Sequence, residues 1–149
     1  MPYAENTLVS AEKSRAEIET TLKRYGADSF GYMTDKDKAM VGFRCKDRTI
    51  RLIVKMPQTS EMPKCQRWRG WTDNQKVTWV EQEYRRRWRC LTLVIKAKLE
   101  AVQSGIALFE DEFLPYTITA SGETVAEVLR PQLAEICKQT AMPMLAQQT

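Results

Sequence analysis

The chain is 149 residues long, 43% hydrophobic and 28% charged, with 23 Lys/Arg, 19 Asp/Glu and no histidine. That length fits one domain, its apolar content excludes a disordered polymer, and no run of eighteen apolar residues offers a membrane span. Without histidine, the Ser-His-Asp triad, the Cys-His pair, histidine acid–base chemistry and every His-containing zinc site are excluded.

Residues 1–9 lack periodicity and predict an extended arm. They carry neither the basic nor the apolar region of a secretory leader, so a cytoplasmic location is expected. Ser10 is a candidate helix N-cap, with Glu12 in the first turn. Ala11, Ile18, Leu22 and Tyr25 then recur on one face and Gly26 suits the exit, giving a helix over 10–25. Three alternating runs follow, around Phe30–Met33, Val41–Cys45 and Ile50–Met56. Asp35-Lys36-Asp37-Lys38 and Lys46-Asp47-Arg48 separate them as turns, and the pattern predicts an antiparallel meander. One face of that sheet would be apolar; the other would be wet and would carry Arg44, Arg51 and Lys55.

Residues 57–74 predict an irregular loop. Val77, Val80, Tyr84, Trp88, Leu91, Ile95, Leu99 and Val102 then repeat every three or four residues, an amphipathic helix ending at Gly105. Phe113 to Ala120 predicts a further strand, with Pro115 suggesting an edge. Val125, Val128, Leu129, Leu133 and Ile136 predict a last helix over 123–138, kinked at Pro131. Residues 140–149 predict a tail, leaving one α+β domain over 10–139. The first five elements share the order of double-stranded RNA-binding domains, a likeness of order alone. The stripe on the long helix exceeds what a short sheet covers. Either residues 113–138 fold back and cover it within one chain, or a homodimer through Leu91, Ile95, Leu99 and Val102 together with the last helix does so.

Charge is unevenly placed. Residues 1–35 net −2, residues 36–98 net +11, and residues 99–149 net −5. A basic middle attracts polyanions, and DNA or RNA is the expected partner. The candidate contacts are Arg44, Arg51 and Lys55 on the sheet, and Lys64, Arg67, Trp68, Arg69 and Trp71 in the loop, where cations alternate with aromatics. Arg85, Arg86, Arg89 and Lys96 on the long helix complete the set. Two bland readings compete: the acidic end covers the basic middle, and the pairs Glu81–Arg85 and Glu83–Arg87 are helix-stabilising. Trp88, on the apolar stripe, is expected in the core.

No catalytic residue and no cofactor is expected. Cys45, Cys65, Cys90 and Cys137 form no CxxC, so no metal site is expected from them. Glu110-Asp111-Glu112 is the one dense acidic group, and a solvated turn is its better reading than a nuclease site.

The segments Pro2-Tyr3-Ala4-Glu5-Asn6-Thr7, Glu12–Glu19, Tyr25-Gly26-Ala27-Asp28, Ile95–Val102, Phe109–Phe113 and Gly122-Glu123-Thr124-Val125 resemble a family of small bacteriophage and prophage proteins. The resemblance implies a phage origin and supplies no activity or site residue. Two functions are then expected as alternatives: a non-enzymatic nucleic-acid-binding protein, or an inhibitor that binds a host defence protein. In the second, Glu110, Asp111, Glu112, Glu123 and Glu127 would imitate phosphates.

Overall fold

Ser10 caps the first helix through its side chain, which accepts from Lys13 N at 3.2 Å; the helix, α1, runs Ala11–Arg24. It ends where Gly26 takes φ +89°, a value that only glycine adopts without strain. In the computed structural model, which describes residues 3–63 and 70–138, the meander follows as β1 (Ser29–Thr34), β2 (Lys38–Cys45) and β3 (Arg48–Lys55). The sheet order is β1-β2-β3, antiparallel throughout, with Tyr32 opposite Val41 and Val41 opposite Leu52. Lys46 and Asp47, both at positive φ, close the β2–β3 hairpin as a two-residue turn of the type that matches strand twist.

The long helix, α2, spans Asp73–Gln103 and begins earlier than its apolar stripe suggests. Thr72 and Gln75 make a reciprocal capping box, so the loop ends at residue 72 rather than 74. α1 and α2 pack together over the face formed by Ala39, Val41, Phe43, Ile50 and Leu52, with Ile18, Leu22, Trp88, Ile95 and Leu99 between the layers. Trp88 is in the core, as expected, with Tyr32 edge-on at 6.2 Å and Arg15 stacked on both rings.

The strand predicted over Phe113–Ala120 is not formed. The chain makes a short helix, α3 (Phe109–Phe113), and a 3-10 turn over Leu114–Tyr116. Helical spacing wins because it buries Phe109 and Phe113 on one side, 4.9 Å apart, with Phe113 edge-on to Phe43 at 5.6 Å. Of the expected strand only Thr117 and Ile118 make bridges. Thr117 lies opposite Ile50, and Ile118 N donates to Thr49 O at 2.9 Å, which covers the start of the β3 edge.

The last helix breaks at Pro131 as expected: α4 (Val125–Leu129), a 3-10 turn over Arg130–Gln132, then α5 (Leu133–Ile136). The predicted tail, 140–149, lies outside the described residues. The arm, expected to be extended, turns over residues 3–6, where Thr7 N donates to Ala4 O at 3.1 Å, and it lies against α2, where the Gln82 side-chain amide donates to Glu5 O and Thr7 O at 3.0 Å each.

Leu91, Ile95 and Leu99 are buried within a single chain and Val102 is half-buried against the same core. The stripe is longer than the sheet, but α1 and α3 cover the surplus. Those side chains are therefore not available to a second subunit.

Candidate nucleic-acid interface

The face of the sheet opposite α1 and α2 is open except at Arg51, which Glu127 of α4 reaches, and the register determines its surface. Its rows are Ser29–Arg44–Thr49, Gly31–Gly42–Arg51, Met33–Met40–Ile53 and, where β1 has ended, Lys38–Lys55. Met33 is 58% and Ile53 44% exposed, so an apolar strip lies between cations at either end. Lys38 and Lys55 stand directly opposite each other, an unfavourable pairing of like charges. Among the described residues neither has an ion-pair partner; the nearby turn carboxylates accept elsewhere, Asp35 from Lys36 N and Asp37 from the Gln58 amide. Arg44 has only a loose 3.7 Å contact to Asp47, and both side chains are well exposed, so it is nearly free.

Arg51, on the same face, is neutralised. Its guanidinium donates to Glu127 at 2.8 Å, and Glu127 also accepts from Thr124 N at 2.7 Å to cap α4. The cap hydrogen bond, ahead of Arg51, holds the Glu127 carboxyl below the usual glutamate range. Together with Lys98–Glu112 at 3.2 Å, this contact joins the acidic end to the basic middle.

Most of the helix arginines are ion-paired within the fold. Arg89 and Lys96 both reach Glu17 of α1, Lys96 at 2.6 Å, and they hold the Glu17 carboxyl low, Lys96 more than Arg89. Arg86 binds Glu83 with two parallel hydrogen bonds of 2.5 and 2.7 Å, the main cause of a lowered Glu83 carboxyl. Arg87 donates to Glu83 at 3.1 Å, to Lys55 O at 2.7 Å and to Glu61. The expected Glu83–Arg87 pair is present. The Glu81–Arg85 pair is not: Arg85 donates to Gln82 at 2.5 Å. Of the expected phosphate contacts on this helix, Arg86, Arg89 and Lys96 are thus ion-paired within the fold, whereas Arg85 meets only the neutral Gln82.

The loop candidates Lys64, Arg67, Trp68 and Arg69 lie outside the described residues. Trp71 lines a cavity of about 430 Å³ with Trp79, Glu61, Glu83, Arg86 and Arg87, whose charges largely compensate one another. Among the described residues no group of three or more His, Cys, Asp or Glu could hold a metal. Glu110 and Asp111 are exposed on α3, and Glu112 is the one that pairs. No described helix is long and apolar enough to cross a membrane.

The structure therefore brings together Arg44, Arg51 and Lys55, and adds Lys38, Met33, Met40 and Ile53, which the sequence reading missed. The missed signal was continued alternation: Lys38-Ala39-Met40-Val41 has the same period as the strand it starts. No protein-family model, curated protein or solved structure matches the chain.

Proposed function

We propose that this chain is a non-enzymatic, phage-encoded protein that binds single-stranded nucleic acid on the open face of its sheet. The observation that carries the reading is the pair of unpaired, facing lysines, Lys38 and Lys55, with Arg44 at the other end of an exposed apolar strip. Phosphates bound at the cations relieve the lysine repulsion, and unstacked bases cover Met33, Met40 and Ile53. Gly31 and Gly42, adjacent in the register, keep the backbone accessible between the two ends. A flat face suits a single strand. Groove reading would need a basic helix, and Arg86, Arg87 and Arg89 of α2 are already ion-paired within the fold.

Binding of a labelled single-stranded oligonucleotide should weaken steeply with salt. About three phosphate contacts give a log–log slope near −2, from roughly −0.7 per contact. No binding at low salt, or binding indifferent to salt, would rule the reading out.

A host-protein partner is the second reading. The exposed Leu114, Leu129, Leu133 and Ile136 of the C-terminal elements favour it. Affinity capture from host extract with and without nuclease separates the two: nuclease-sensitive co-purification supports nucleic acid, and a stoichiometric, nuclease-resistant partner supports inhibition.

A further inference from the structure

β1 is an open sheet edge. Thr117 and Ile118 cover part of the β3 edge, but among the described residues nothing bonds to the outer side of β1. The ladder fixes which groups face outward. Asp35 N donates to Lys38 O at 2.8 Å, so 35 and 38 are a hydrogen-bonded pair. Alternation then gives the same status to Met33–Met40, Gly31–Gly42 and Ser29–Arg44. The backbone N–H and C=O of Phe30, Tyr32 and Thr34 therefore point away from the sheet. The strand reads Ser-Phe-Gly-Tyr-Met-Thr, with five of six residues exposed, a continuous register and no charge or proline. Edges of this kind are normally guarded by lysine or proline because they pair with other strands.

We propose that β1 pairs antiparallel with β1 of a second copy of this chain, centred on Tyr32, joining two sheets into one of six strands. A strand paired antiparallel with itself is two-fold symmetric, so one contact closes the assembly. Centring on Tyr32 engages every outward residue, Tyr32 with the partner's Tyr32 and Phe30 with the partner's Thr34. Shifting the register by one pair leaves an outward residue without a match. The same register brings Asp28 beside the partner's Lys36, twice by symmetry. Both are exposed, and neither has an ion pair among the described residues of one chain. The two-fold axis stands perpendicular to the sheet, so both open faces lie on the same side and their Lys38, Arg44 and Lys55 line one surface. The pairing does not depend on that surface binding nucleic acid.

A six-residue strand pair is smaller than a standard interface, so monomer and dimer should exchange with concentration. Sedimentation across a wide concentration range should take the mass from 17.2 kDa toward twice that value. Residue-resolved hydrogen exchange should find the amides of Phe30, Tyr32 and Thr34 protected only at high concentration, and those of Gly31 and Met33 protected throughout. Lys36→Asp sets acid against acid and should weaken the dimer roughly tenfold or more. Asp28→Lys combined with Lys36→Asp should restore it. Circular dichroism checks that these surface variants fold. A mass of 17.2 kDa at every concentration overturns the proposal. So does a dimer that leaves the amides of 30, 32 and 34 exchanging freely, or one indifferent to Lys36→Asp.

Discussion

Lys46 and Asp47 hold φ of +51° and +61°, the left-handed region that costs an ordinary L-residue about 1 kcal/mol. Asp47 is nearly fully exposed and its contact with Arg44 is weak, so Asp47→Gly relieves the strain at little loss. Urea unfolding should find the variant more stable by about 0.5–1 kcal/mol. Glu17 works in the opposite direction. Its lowered carboxyl contributes stability at neutral pH that is lost as pH falls through the carboxylate range. Glu17→Gln should cost about 1 kcal/mol at pH 7, allowing for its partial exposure, and the gap should close on acidification. Unfolding curves at several pH values measure it. Local ion pairs were half legible in the sequence: Glu83–Arg87 follows from i,i+4 spacing. Glu17 taking Arg89 and Lys96 could not be read, because those partners are 72 and 79 residues away.

Elements with a sustained period were legible, and short ones were not. α1, the meander and α2 each repeat their apolar pattern several times, so their types followed directly from the sequence. The start of α2 was misplaced because its first turn is polar; the Thr72-x-x-Gln75 cap was the signal available. Thr72→Ala should cost about 1 kcal/mol, read by thermal unfolding. Phe109–Tyr116 offered two aromatics at helical spacing and a short run that alternates equally well. Only the packing of Phe113 on Phe43 decides between them. Ile95 belongs to the core within one chain, so Ile95→Asp should unfold the protein rather than produce a folded monomer. A buried unpaired carboxylate costs roughly several kcal/mol, and circular dichroism would detect the loss.

At the scale of the molecule, folding sorts the described candidate cations into a paired group and an unpaired one. Arg86, Arg87 and Arg89 of α2 meet glutamates from their own helix, from the loop and from α1, and Arg85 meets Gln82. Arg51 and Lys98 meet the acidic C-terminal part. Lys38, Lys55 and, nearly so, Arg44 are left on the open sheet face. The candidate site was therefore legible as a composition but not as a place, since neutralisation depends on contacts between distant segments. The most direct measurement compares two charge-reversed variants with the native chain in anisotropy titrations of a labelled single strand at low salt. Lys38→Glu, Arg44→Glu and Lys55→Glu together should abolish binding. Replacing Arg85, Arg86 and Arg89 by glutamine should leave the affinity of the folded fraction within a few-fold of native, with circular dichroism giving that fraction. Binding that survives the sheet reversals but is lost with the helix arginines would contradict the account.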